Sequence, residues 1–97
     1  METIFTWDPA KAHSNEQIHG ISFEKAAEVF ADAFIVTAED IIDGDEQRWH
    51  AIGMTGELIL LLVVFVERTD GGAEVIRIIS ARKANEYEQN IYKEQFQ

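Results

Sequence analysis

The sequence has no cysteine, a single proline, and only 8 Lys and Arg among its 97 residues. Without cysteine there is no disulfide framework and no thiolate site, which fits the cytosol. The longest apolar run, Leu58 to Val66, is far shorter than the roughly 20 residues a membrane-spanning helix needs. The opening METIFTWDP carries an acid at Glu2 and no basic-then-apolar signal pattern. A cytoplasmic chain with no membrane partner is therefore expected. Against the few cations stand 18 Asp and Glu, for a formal net charge of -10. That field repels nucleic acid as a whole, so any contact with RNA or DNA requires a local basic patch.

What is present is enough apolar material for a modest core: 46 % of residues are hydrophobic and 10 % aromatic. This excludes a disordered chain and fits one domain over residues 1–97. Ile4 to Trp7 reads as a short strand from its β-branched and aromatic content. Asp8 is placed to cap, and Pro9 to open, a helix to about His19, with Gly20 as its stop. Ser22 caps a second helix, FEKAAEVFADAF, in which Phe23, Ala26, Ala27, Phe30 and Phe34 form one apolar stripe. Phe34 to Thr37 fits either a strand or the end of that helix. Ala38 to Gln47, with five acids and one glycine, reads as a loop or hairpin arm.

Arg48 to Thr55 alternates as a strand, with Arg48, His50 and Ile52 on one face. Thr55 to Glu57 is a turn. Leu58 to Val66 has no polar face and fits a central strand covered on both sides. Asp70-Gly71-Gly72 marks a tight turn before a strand over Val75 to Ser80. A last helix is expected over Ala81 to Phe96, with Ala84, Tyr87, Ile91 and Phe96 facing inward. Short turns force antiparallel neighbours. The expected class is α+β, an antiparallel sheet of about four strands with two N-terminal helices and one C-terminal helix packed against it.

Several chemistries find no support. The acidic segment Asp40, Asp43, Asp45, Glu46 lacks the ligand spacing of an EF-hand loop, and His13, His19 and His50 lack zinc-site spacing. No P-loop, GxSxG elbow or serine triad is visible. No metal or cofactor is expected. What remains is a set of cations: Arg48, Arg68, Arg77, Arg82 and Lys83. Three of them sit in IRIISARKA (Ile76 to Ala84). An arginine inside an apolar strand keeps its charge and needs an anion. That anion is either a neighbouring acid, for which Glu46, Glu67 and Glu74 are at hand, or a phosphate held bidentately. Both remain open at this point.

The motifs FTWDPAK (Phe5 to Lys11), Asn15, HGISFEKAAEVFAD (His19 to Asp32), Glu46, Arg48, Gly53, LVVFVER (Leu62 to Arg68), IRIISARKA, Glu88 and Tyr92 together resemble BrnT toxins, the ribonuclease half of a bacterial type II toxin–antitoxin pair. The resemblance runs over nearly the whole chain. It implies a RelE-like fold and metal-independent RNA cleavage that blocks translation. It implies a BrnA-like ribbon-helix-helix antitoxin as partner, in a complex that represses its own operon while this chain reads no DNA bases itself. A homodimer, or a heterotetramer with the antitoxin, would follow. It also implies Arg68, Arg77 and Arg82 as catalytic phosphate contacts, with Lys83 and Arg48 as substrate-binding residues. His19, Glu46 or His50 would be the proton-transfer group, and the RNA target is free or ribosome-associated. The chain departs from the family pattern at Ile18, where Lys is usual, and at Glu86 and Glu88, where the final helix is often Arg-rich. Those changes leave open a second reading, a catalytically weak binding module that acts as co-repressor in the antitoxin complex.

Overall fold

A computed structural model describes residues 1–97. Its elements run β1 (Thr3–Thr6), α1 (Pro9–His19), α2 (Phe23–Ala27), a 3-10 turn (Glu28–Ala31), β2 (Val36–Asp43), β3 (Glu46–Met54), β4 (Leu60–Asp70), β5 (Ala73–Lys83) and α3 (Glu86–Glu94). The five strands form one sheet in the order β1-β5-β4-β3-β2. The α+β class agrees with the sequence. The expected four antiparallel strands do not: there are five, and β1 lies parallel to β5. The chain reaches β1 first and β5 last, so no short turn constrains that pair, and the two helices between β1 and β2 carry the chain across the sheet.

Local chemistry explains most boundaries. The Asp8 carboxylate accepts the Ala10 N–H at 2.8 Å, and Gly20 ends α1 in the left-handed region at φ 71°. The Ser22 hydroxyl accepts the Lys25 N–H and starts α2. The expected second helix to Phe34 is cut short. Its α-helical part ends at Ala27 and tightens into the 3-10 turn. Asp32 beyond it bonds the Phe34 N–H, the Met54 N–H and the Tyr92 hydroxyl, an arrangement that a continuing helix would not permit. Phe34 is consequently about half exposed. Phe34–Ile35 lie outside any strand, and β2 begins at Val36.

The acidic segment is a hairpin arm, closed by Gly44 at φ 63° between the paired residues Asp43 and Glu46. Gly71 and Gly72, both at positive φ, make the two-residue turn between Asp70 and Ala73. The last helix starts at Glu86, not Ala81. Ala81 to Lys83 remain paired with Val63 to Leu61 in β5, and Asn85 and Glu88 form a reciprocal capping box. Ala84 and Ile91 pack inward as expected, but Tyr92 is the buried aromatic, while Tyr87 and Phe96 are exposed.

The two sheet faces differ. Helices α1 and α2 cover one, where Phe23, Ala26, Val29, Ala51, Leu61, Val63, Phe65, Ile76, Ile78 and Ala81 make the main core. Helix α3 covers only one end of the other, around Ile52, Ala84, Leu60 and Leu62. Gly53 lets the 3-10 turn approach β3. A Cβ there would lie 2.7 Å from the Val29 Cβ and 3.1 Å from its carbonyl oxygen. Beyond Thr6, which pairs with Arg77, β5 has no strand on its outer side. The buried Asn15 side chain takes that place. Its amide donates to the Ala81 carbonyl at 2.8 Å and the Ile21 carbonyl at 3.0 Å, and its oxygen accepts the Ala81 N–H at 3.0 Å.

Two consequences are measurable. The Gly53→Ala protein should lose about 1–3 kcal/mol in urea unfolding, since the backbone-to-backbone contact has no slack. The Asp32–Tyr92 bond sets two pH limits. Burial raises the Asp32 carboxyl, but the three hydrogen bonds outweigh it and hold the group below its usual range. Burial first, then the bond and charge of Asp32, push the Tyr92 hydroxyl up to about 12. A lowered acid stabilises the fold above its unfolded pKa near 4 and loses that contribution as pH falls through the folded value. A raised tyrosine stabilises below about 10 and loses its contribution as pH rises towards 12. Tyr92→Phe should therefore cost about 1–2 kcal/mol at pH 7. Its deficit relative to the unmodified chain should shrink between roughly pH 10 and 12, followed by denaturant titration at each pH.

Candidate active site

In a regular strand Arg77 and Arg82, five apart, would face opposite sides. They do not, because β5 carries a bulge. Val64 pairs with Ser80 but Phe65 pairs with Ile78, which leaves Ile79 as the extra residue. Arg77 pairs with Val66 and Arg82 with Leu62. Both partners are even-numbered residues of β4, so both arginines stand on the face that α3 leaves open. Ser80 lies between them on that face. His50 pairs with Val64 in the neighbouring strand, and Arg48 and Glu46 follow at the same parity of β3.

Each arginine on this face meets a carboxylate. Arg77 reaches over β4 to Glu46 at 2.6 Å. Arg48 bonds Asp43 at 2.8 Å, and its Nε is buried without a partner. Arg82 makes a fork with both oxygens of Glu88 at 2.8 Å. Arg68 bonds Asp70 at 3.1 Å. His50 Nδ1 lies 3.5 Å from Asp40. The acids that sequence proximity offered are used in one case of three: Glu46 pairs, while Glu67 and Glu74 do not.

These pairs are accessible. The side chains of Arg77 and Arg82 are 46 % and 39 % exposed, enough for an incoming phosphate to compete for the guanidinium. The electrostatics follow the contacts. The hydrogen bond from Arg77 is the largest influence on Glu46; it outweighs desolvation and, with the charges of Arg77, Arg48 and Lys11, holds the carboxyl below its usual range. Glu88 is likewise held low, first by the hydrogen bonds of Arg82 against burial, then by the Asn85 N–H and the charges of Arg82 and His50. In return Glu88 raises Arg82 above its ordinary value against desolvation.

The remaining expected residues lie elsewhere. Arg68 shares the face by parity but sits towards its far end, level with Val75, with its side chain 63 % exposed. Lys83 pairs with Leu61 of the main core, so it leaves the sheet on the side opposite to Arg82. His19, at the end of α1, lines a groove against Ile79 and Ser80 and is not among the open-face residues. Sequence reasoning missed Lys11, whose charge reaches Glu46 from a helix distant in sequence. It also missed Glu88 as the clasp of Arg82 and Ser80 as the residue between the two arginines. The only advance signal for Lys11 and Glu88 was their place in the motif blocks. No group of three or more His, Asp or Glu side chains is arranged to hold a metal ion.

Comparison with known proteins bears on this arrangement. No curated protein sequence matches the chain. Among solved structures, the 1.1 Å crystal structure of the Brucella abortus ribonuclease toxin BrnT is similar, with 25 % identity and a TM-score of 0.58 over 89 % of this chain and 100 % of that one. The family model for the ribonuclease toxin BrnT of type II toxin–antitoxin systems matches residues 7–88, which contain every arginine of the open face and its acidic partners. The chain belongs to the BrnT family of ribonuclease toxins.

Proposed function

We propose that the open face cleaves single-stranded RNA without a metal, that the cleavage blocks translation in the cytoplasm, and that a protein antitoxin of the ribbon-helix-helix class neutralises it. The observation that carries this reading is the bulge that brings Arg77 and Arg82 to one exposed face with Ser80 between them and His50 across β4. Cleavage of this kind joins the ribose 2′-oxygen to the adjacent phosphorus and breaks the bond to the 5′-oxygen. The 2′-hydroxyl gives up its proton and the leaving 5′-oxygen gains one, so the products are a 2′,3′-cyclic phosphate and a 5′-hydroxyl. The pentavalent phosphate carries extra negative charge, which Arg77 and Arg82 stabilise in place of Glu46 and Glu88.

His50 serves as the proton-transfer group, since imidazole is the side chain most often used for it. Glu46, held in its charged form by Arg77, becomes a stronger base once phosphate takes that arginine. Arg48 supports the strand of substrate. Arg68 and Lys83, at the far end and on the other side, contribute through the field alone.

A second reading is favoured by one specific observation, the pairing of all four arginines with carboxylates. In it the chain acts in the antitoxin complex as a co-repressor and cleaves little or nothing. RNA incubated with the purified chain in excess EDTA separates the two. The ribonuclease reading predicts cyclic-phosphate ends, with Arg77→Ala and Arg82→Ala each losing about 100-fold or more in rate at unchanged fold. Intact RNA, together with no growth arrest on induced expression, would leave only the binding module. Glu46→Gln should tighten RNA binding and steepen its salt dependence, because one more cation is free to meet a phosphate.

A further inference from the structure

Between α1 and the bulge of β5 runs a groove of about 390 Å³ that the proposed chemistry does not use. It exists because β1 stops at Thr6 and α1 takes over the edge of β5 beyond Arg77. Its floor is Ile79, the extra residue of the bulge, and Ser80. Its helical wall carries Lys11, Ser14, Ile18 and His19. Lys11 and His19 are eight residues apart, so they stand about 12 Å apart along the helix.

Three features of this groove bear on what it can hold. First, it is continuous with the open face: Ser80 belongs to both, and the charge of Lys11 acts on Glu46. Second, Ile18 is 74 % exposed on its wall, a large apolar side chain left to water beside another isoleucine. Third, none of the residues that line it is acidic, in a chain of net charge -10. A cation at one end, an imidazole at the other, apolar surface between them and two serine hydroxyls make a mixed site. It suits a flat, partly apolar group with hydrogen-bonding edges that is attached to a phosphate.

We infer that the groove receives a nucleobase of the RNA strand whose phosphate lies on Arg77 and Arg82. This rests on the ribonuclease reading for the identity of the strand. The base lies against Ile18 and Ile79 and stacks on the His19 ring, while Ser14 and Ser80 meet its polar edge. Lys11 holds the phosphate next along the chain. His19 is then a substrate-positioning residue and not the proton-transfer group. Ile18 supplies apolar surface on the wall where the base lies.

Isoleucine-methyl NMR of the intact chain tests this directly. Adenosine or uridine 5′-monophosphate should shift the Ile18 and Ile79 methyl signals. Ribose 5-phosphate, with the same charge and no base, should not. Ile18→Asp, a change at an exposed position, should weaken nucleotide binding about tenfold, in line with the loss of one base contact. Equal shifts with ribose 5-phosphate would show an anion site only and overturn the inference. So would nucleotide-induced shifts that spare both methyls. The result is independent of the ribonuclease reading. RNA cleavage with silent methyls leaves the enzyme and removes the groove, whereas shifted methyls with intact RNA keep the base site and remove the enzyme.

Discussion

Asn15 is the constraint on which the arrangement depends. Its amide group meets the backbone of Ala81 in both directions, as an adjacent strand would, and its remaining donor binds Ile21. A sheet edge left open this way is an aggregation hazard, and here one side chain covers it. The clamp sits two residues beyond the bulged Ile79. It therefore fixes the register after the bulge, and the register decides on which face Arg82 stands. Loss of the bulge would return Arg82 to the helical face and bury a charge against the main core. One buried asparagine thus joins helix docking, edge protection and the placement of two arginines.

Electrostatics supplies the second constraint. An acidic chain with only four arginines has few cations to spare, and three of them are gathered on one face. The carboxylates of Asp43, Glu46 and Glu88 hold Arg48, Arg77 and Arg82 extended over the open face when no substrate is there. Exposed pairs of this kind contribute little to stability, and a polyanion can replace them at modest cost. The fork of Glu88 on Arg82 is the firmest, with only 13 % of the Glu88 side chain exposed. It also ties the first turn of α3 to β5, so Glu88 holds the Arg82 guanidinium in place.

Much of this was legible in the residues, and the failures have physical causes. Helix α1 runs from Pro9 to His19 as its Asp8 cap and Gly20 stop indicate, and Arg48, His50 and Ile52 share a face as alternation requires. The second helix was overextended because periodicity registers Phe30 and Phe34 but not the partners of Asp32, which come from β3 and α3. The last helix was started too early because Ala81 to Lys83 have good helical propensity, while pairing with β4 prevailed. The parallel pairing of β1 with β5 joins the first and last strands of the chain, and no local signal carries that. The bulge was invisible for the same reason. Counting by twos along IRIISARKA separates Arg77 from Arg82, and only the pairing with β4 brings them together. The motif resemblance singled out Arg77 and Arg82 without giving the geometry that brings them to one face.

The most direct measurement is amide hydrogen exchange at Ala81, combined with RNA cleavage, in the unmodified chain and in Asn15→Ala. Ala81 donates its N–H to Asn15 and not to β4. Its amide should therefore be as protected as those paired with β4 in the unmodified chain. In Asn15→Ala it should exchange at least tenfold faster while the β3–β4 amides stay protected, and cleavage should fall with it. An Ala81 amide already unprotected in the unmodified chain, or one that keeps its protection without Asn15, would contradict the account.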